Sequence, residues 1–201
     1  MKSNNNLQTI YVMWLREIKK FFRAKSRLLG TIGMPFFFLL ALGFGFSPMS
    51  KMVGAEGISY LDFLVPGMIG MSMLFASVTG GLSVLWDREF GFLKEIMVAP
   101  VSRWAIILGR IIGSMSTALI QGILILAISM LMGFKIVGLI NVVFGIIFMI
   151  LISAGFTGFG VAIASKLDDT QGFSLIMNFV IFPTFLLSGA FFPVTNFPAW
   201  L

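Results

Sequence analysis

Cysteine and histidine are both missing from this chain of 201 residues. Their absence excludes disulfide bonds, thiol nucleophiles and imidazole bases, and it removes the two side chains that most often bind transition metals. Charged residues are also scarce, at 11% of the sequence, whereas a soluble domain carries roughly 25%. We therefore predict no catalytic, cofactor-binding or metal-ligating residue in this chain, and lipid rather than water around most of it.

Long stretches without charge make up most of the sequence. Residues 28–50, 63–86, 111–134, 136–165 and 170–201 contain no Asp, Glu, Lys or Arg. Each stretch exceeds the roughly 20 residues with which an α-helix crosses about 30 Å of hydrocarbon. The sequence therefore predicts an all-α membrane protein with five transmembrane helices, near residues 28–48, 64–85, 108–132, 138–164 and 171–190.

Basic residues are divided unequally between the predicted loops. Twelve Lys and Arg residues lie in the N-terminal segment and every second loop, and two lie in the remaining loops. Because loops rich in Lys and Arg stay in the cytoplasm, we expect a multi-pass protein of the cell membrane with a cytoplasmic N-terminus. The same charge attracts anionic headgroups, so membrane lipids are expected partners and nucleic acid is not.

Residues 1–27 form a cytoplasmic N-terminus with an amphipathic pattern. One side of the helix predicted over 8–27 carries Tyr11, Trp14, Ile18, Phe21 and Phe22, and the other carries Arg16, Lys19, Lys20 and Arg23. This pattern is typical of a helix that lies in the headgroup layer, either as a topological anchor or as a lever on the first span. A cleavable signal peptide is not expected, because the apolar core begins only after residue 27.

Small residues recur one turn apart in three of the predicted spans. They are Ser72, Ala76 and Gly80 in the second, Gly109, Gly113 and Thr117 in the third, and Ala154, Gly158 and Ala162 in the fourth. Such faces let membrane helices approach closely, so we expect tight helix packing along them, either within a bundle or in an oligomer. The fifth span contains Pro183, which predicts a bend or break before a re-entrant-like terminal segment, residues 191–201.

Polar side chains within the predicted spans are few. Gln121, Asn141 and Asn178 either bridge helices or line a substrate pathway, and both interpretations remain open. Arg110 begins the third span and is expected to extend its long stem to the interface. Asp168 and Asp169 precede a predicted helix, where an N-cap is favoured over a metal site.

A compact group of charges occupies residues 86–104, between the second and third spans. This loop predicts a short amphipathic helix that ends before Pro100, followed by Ser102 as a cap of the third span. Such a helix either docks another protein or lies in the headgroup layer as a connector. The residues alone favour neither alternative.

The run WDREFGFLKEIMVAPVSRWAIILGR, residues 86–110, resembles the cytoplasmic loop signature of ABC type-2 exporter permeases. The matching positions are Arg88, Glu89, Gly91, Leu93, Glu95, Pro100, Val101, Ser102, Arg103, Leu108, Gly109 and Arg110. Residues 178–201 resemble the fifth helix of that family and the turn after it. The amphipathic N-terminal helix fits the connecting helix of the family, so the resemblance covers nearly the whole chain.

This resemblance implies a transmembrane domain over residues 28–201. In such exporters two permease copies, identical or related, form the substrate pathway, and each binds a cytoplasmic ATPase that holds ATP and Mg²⁺. A coupling helix over 87–97 is implied, with contacts from Arg88, Glu89, Phe90, Gly91, Phe92, Leu93, Lys94 and Glu95. Connecting-helix contacts are implied for Trp14, Arg16, Lys19 and Phe22.

Two further expectations accompany the resemblance. The family has six spans, so this chain is expected to lack the last membrane helix. The chain has no GxxxxGK[ST] phosphate loop and is therefore expected not to be an enzyme itself. The alternatives are an ion-coupled secondary transporter, disfavoured because no acidic residue lies in mid-span, and a membrane enzyme.

Overall fold

The computed structural model describes residues 2–45, 60–91, 98, 101–135 and 138–191. Most of these residues are helical. In chain order the elements are α1 (Lys2–Arg23), α2 (Lys25–Gly45), α3 (Tyr60–Glu89), α4 (Arg103–Leu131), α5 (Leu139–Lys166), α6 (Thr170–Ile176), a π-helical turn (Met177–Ile181) and α7 (Phe182–Leu186).

In the described part of the chain, three helices are long and apolar enough to cross a membrane. These are α3, α4 and α5, with 30, 29 and 28 residues. At 1.5 Å per residue they are each roughly 40–45 Å long, which exceeds the hydrocarbon layer of about 30 Å. The first and fifth predicted spans correspond to shorter apolar helices, Ile32–Gly43 and Thr170–Leu186. The prediction of an all-α membrane protein is confirmed.

Helix α3 lies at the centre of the packing. It contacts α2, α4, α5 and α6. Its side chains Leu64, Val65, Met73 and Val78 are completely buried. Because packed interiors deform little, a displacement of α3 would be transmitted to the helices on every side of it.

Helix α1 packs mainly along α4, through the small-residue face predicted for the third span. A Cβ atom added to Gly109 would lie 2.8 Å from the carbonyl oxygen of Ile10. One added to Gly113 would lie 2.7 Å from the Cβ atom of Glu17. The predicted close packing on this face of α4 is confirmed. The helix that packs against it is the N-terminal helix α1.

Helices α3 and α5 touch backbone to backbone at Gly81 and Gly160. A Cβ atom on Gly81 would lie 2.2 Å from the carbonyl carbon of Gly160. A Cβ atom on Gly160 would lie 2.6 Å from the carbonyl oxygen of Val78. Within this chain the predicted face is not the one that packs, because a Cβ atom on Gly158 would meet nothing within 4 Å. Two residues along a helix turn by roughly 200°, so Gly158 faces away from the contact.

Gly160→Ala is expected to lower the free energy of unfolding by about 1–3 kcal/mol, because the added methyl group forces α3 and α5 apart. Gly158→Ala, on the opposite side of the same helix, is expected to be neutral or to stabilise by about 0.5–1 kcal/mol through helix propensity. Denaturant unfolding of the purified protein in mixed micelles measures both effects. Equal losses in the two variants would contradict the contact.

The fifth predicted span changes helix type directly before Pro183. The N–H of Phe182 donates to the carbonyl oxygen of Met177, five residues earlier, which closes the π-helical turn. Pro183 follows within the first turn of α7 and has no N–H to continue the ladder. The helix ends at Leu186, and Gly189 after it has a φ of 83°.

Helix α3 continues into the loop that was predicted over residues 86–104. It ends at Glu89, and the chain turns at Phe90 and at Gly91, whose φ of 75° favours glycine. The prediction of a single coupling helix over 87–97 is therefore wrong, because residues 87–89 belong to α3 and the chain turns directly after them. Predictions for Phe92, Leu93, Lys94 and Glu95, and for all of segment 191–201 except Phe191, lie outside the described residues.

Candidate functional site

Asp87, near the end of α3, is bound by arginines from two other helices. Arg16 on α1 donates from Nη1 to Asp87 Oδ2 at 3.1 Å and from Nη2 to Asp87 Oδ1 at 3.0 Å. Arg110 on α4 donates from Nη2 to Asp87 Oδ2. These residues, called the Asp87 cluster below, connect α1, α3 and α4 through one carboxylate.

The Asp87 cluster lies inside the protein. Asp87 is 6% exposed and Arg110 is 3% exposed, whereas the Arg16 side chain is 28% exposed. Charge-assisted bonds of this kind are stronger than neutral ones, and the paired geometry of Arg16 fixes its orientation. Because a buried charge is tolerated only when it is paired, each helix restricts the positions of the other two.

Other contacts fix α1 beside the Asp87 cluster. Trp14 Nε1 donates to Ser116 Oγ on α4 at 3.0 Å. The ammonium of Lys20 lies 5.9 Å from the centre of the Trp86 ring on α3, within range of a cation–π contact. Of the predicted connecting-helix residues, Trp14 and Arg16 thus contact other helices, whereas Lys19 and Phe22 are exposed.

Three of the four described residues of the predicted coupling segment are exposed, and Gly91 is half-buried. Arg88 and Glu89 end α3 at the surface, and Phe90 is 83% exposed. Val98, further along the same connection, is 85% exposed, and Trp104 in the first turn of α4 is 74% exposed. An apolar surface of this kind beside charged residues is typical of a binding site for a protein or a membrane.

Arg88 joins the α3–α4 connection to the α5–α6 connection. Its Nη1 donates to the carbonyl oxygen of Leu167 at 3.2 Å, and its Nη2 donates to Asp168 at 2.9 Å. The adjacent Asp169 is the predicted N-cap of α6, and its carboxylate accepts from the N–H of Gly172 at 2.6 Å. Both connections therefore lie at the same end of the molecule, as the predicted topology requires.

The predicted polar residues of the spans are divided between two clefts. Gln121 and Asn178 line a cleft of about 420 Å³ that is bounded by α2, α3, α4 and the π-helical turn. Ser72, Thr79 and Thr117 add hydroxyl groups to walls that are otherwise apolar and aromatic. Asn141 lines a separate cleft of about 580 Å³ between α3, α4 and α5.

Sequence reasoning missed the role of two charged residues. Arg110 does not extend to the interface as predicted, because its side chain is buried against Asp87. Asp87 was noted only as part of a charged loop. The available signal was that Asp87 directly follows one charge-free run and Arg110 directly precedes the next, since adjacent antiparallel spans bring such positions together.

The apolar spans define a helical membrane protein. At the end where α3 and α4 connect, its surface carries exposed charged residues. Comparison with known proteins identifies its family, since the family model described as ABC-2 type transporter matches residues 8–201. The chain belongs to the ABC-2 type transporter family. No solved structure matches the chain significantly.

Curated relatives carry transport permease names. Inner membrane transport permease YadH of Escherichia coli K12 is 31% identical over 192 residues, covering 92% of this chain and 72% of YadH. The "Probable multidrug ABC transporter permease YbhR" of the same organism is 32% identical over 146 residues, covering 72% of this chain and 39% of YbhR. The permease ycf38 of Cyanophora paradoxa is 24% identical over 196 residues, covering 97% of this chain and 68% of ycf38.

The chain therefore spans between 39% and 72% of the length of these relatives. Family membership and the shared names support a membrane subunit of an ABC transporter.

Proposed function

We propose that this chain is the transmembrane permease subunit of an ATP-binding cassette exporter and couples to a separate cytoplasmic ATPase. The observation that carries the proposal is the exposed end of the central helix α3, Arg88 and Glu89, together with the exposed Phe90 that follows it directly. A partner that binds this segment can displace α3 directly, because no flexible linker lies between them. The family and the names of the relatives support the same conclusion.

Force applied at this segment reaches the rest of the protein through the Asp87 cluster. Asp87 lies one position before Arg88 on the same helix, and its arginine partners belong to α1 and α4. Movement of the end of α3 therefore moves α1 and α4 with it. In this scheme α1 is a lever rather than a passive anchor, and hydrolysis of ATP with Mg²⁺ takes place on the partner subunit.

The substrate pathway is proposed to include the cleft that contains Gln121 and Asn178. Its walls combine aromatic and apolar side chains with a few polar groups, which is the usual composition of a small-molecule site. A second permease copy would complete the pathway. Asn141, in its separate cleft, is assigned to helix packing or to a second part of that route.

The proposed location is the cell membrane, with the N-terminus and the coupling segment in the cytoplasm. Twelve of the 14 basic residues lie on the side that this orientation makes cytoplasmic. The Arg88–Asp168 contact supports the topology on which this count rests, because it joins two connections that must share a side.

The test is co-purification of an ATPase with the full chain from its native membrane. We expect an ATP-hydrolysing subunit to bind the wild-type chain, and we expect the variant Arg88→Ala/Glu89→Ala/Phe90→Ala to lose it. Leu131→Ala is the matched control, because Leu131 is 89% exposed at the opposite end of α4. An ion-coupled transporter would instead purify without an ATPase and would respond to a proton or sodium gradient.

A further inference from the structure

Two buried polar atoms at the α1–α4 interface have no hydrogen-bond partner among the described residues. They are Oε1 of Glu17 and Nη1 of Arg110. Glu17 is 8% exposed and Arg110 is 3% exposed, so neither side chain is well hydrated. Buried polar atoms without a partner are costly and rare, and these two belong to side chains of opposite charge.

The two side chains start from neighbouring positions of the interface. Gly113 follows Arg110 by three residues on α4, so the two positions lie on one face of that helix. A Cβ atom on Gly113 would lie 2.7 Å from Glu17 Cβ and 3.0 Å from Glu17 Cγ. Glu17 therefore leaves α1 directly beside the face from which Arg110 leaves α4.

Arg110 thus binds Asp87 on α3, and Glu17 on α1 packs one turn further along the same face of α4. In the described arrangement Asp87 accepts from both arginines, and Glu17 is left over. A second arrangement pairs Arg110 with Glu17 and Arg16 with Asp87. It uses the same four charged side chains, and it gives a partner to Oε1 of Glu17 and to Nη1 of Arg110.

We propose that Glu17 is an alternative partner of Arg110, so that α1 takes two discrete positions against α3 and α4. Arginine exchanges between carboxylates without any change in net charge, and Gly113 leaves room for the Glu17 side chain. Discrete arrangements of this kind are what a lever needs in order to transmit a movement rather than absorb it. The use of the exchange for coupling rests on the proposed function, but the exchange itself does not.

A distance measurement on the full chain tests the exchange without substrate, nucleotide or partner. The sequence has no cysteine, so the substitutions Leu7→Cys on α1 and Leu131→Cys on α4 introduce the only thiols for spin labels. Both positions are exposed, at 67% and 89%. Pulsed electron paramagnetic resonance then reports the position of α1 relative to α4 in lipid nanodiscs.

We expect a second distance to be a minor component in the labelled parent, at or below roughly a tenth of the population. Asp87→Asn should make it the major component, because Arg110 then has only Glu17 to bind. Adding Glu17→Gln to Asp87→Asn should remove that second distance again. Asp168→Asn, which alters an exposed carboxylate, should leave the distribution of the parent unchanged.

The same distribution in the parent, in Asp87→Asn and in the double variant would overturn the proposal. If Asp87→Asn does not fold, the stability of Glu17→Gln decides. An unchanged or higher unfolding midpoint supports an unpaired Glu17 in the described arrangement. A lower midpoint would show that Glu17 already has a stabilising partner there, and the exchange would be rejected.

Discussion

Asp87→Asn is expected to lower the free energy of unfolding by about 3 kcal/mol. Removing one partner of a buried ion pair costs roughly 3–5 kcal/mol, because the other charge stays buried and a guanidinium does not lose its proton. Arg110 is that charge, at 3% exposed. We expect the lower end of the range, because Glu17 beside it offsets part of the loss.

Denaturant unfolding in mixed micelles measures this cost, and Asp168→Asn is the control. Asp168 makes the same kind of contact with Arg88 at 2.9 Å, but its side chain is 88% exposed. Exposed ion pairs contribute little, so a change within about 0.5 kcal/mol is expected. Equal effects of the two substitutions would mean that burial of the Asp87 cluster does not determine its contribution.

Phe90→Ala/Phe92→Ala is expected to abolish most of the substrate-stimulated ATP hydrolysis of the reconstituted transporter. Phe90 is 83% exposed and directly follows α3, so its ring is available to fill a pocket on the ATPase. An aromatic residue at the centre of an interface often contributes about 2 kcal/mol, or roughly 30-fold in Kd. Loss of two such residues should leave hydrolysis near the rate of the free ATPase.

Hydrolysis in proteoliposomes is measured with the ATPase that co-purifies with the wild-type chain. Leu131→Ala removes a comparably exposed apolar side chain at the far end of α4 and should keep the wild-type rate. Stimulated hydrolysis that survives in the double alanine variant would count against docking at this segment. It would favour the alternative in which the segment is a connector in the headgroup layer.

Features that depend on local sequence were predictable. Long runs without charge must form helices in lipid, and this rule predicted the spans that the structure forms as α3, α4 and α5. Asp169 before a helical pattern predicted the N-cap that binds the N–H of Gly172. Gly109 and Gly113 indicated a close helix contact, although their spacing did not identify α1 as the neighbour.

Features that depend on tertiary contact were not predictable in the same way. The burial of Arg110 follows from Asp87, which lies 23 residues earlier, and from α1 packing across both. The close contact of α5 uses Gly160 rather than Gly158, because helix rotation depends on the facing helix and not on residue size. The sign of the Asp87 cluster in the sequence was that Asp87 directly follows one charge-free run and Arg110 directly precedes the next.

The extent of α3 also depends on tertiary contact. Glu89 and Arg88 were predicted in a loop because they are charged, yet they continue the helix beyond the apolar run. Arg88 is held there by the α5–α6 connection, and Gly91 provides the turn that ends the helical path. The resemblance to exporter permeases implies a coupling role for this segment, which stays a prediction, and composition alone did not separate docking from headgroup contact.

The sidedness of Phe90 tests the proposed coupling most directly, because an ATPase can reach this segment only from the cytoplasm. Phe90→Cys and Lys135→Cys each introduce a single thiol into a chain without cysteine, and both positions are exposed. A membrane-impermeant maleimide should label Lys135→Cys in intact cells and Phe90→Cys only in inside-out vesicles. Labelling of Phe90→Cys from outside intact cells would contradict the assignment of this chain as an ATPase-coupled permease.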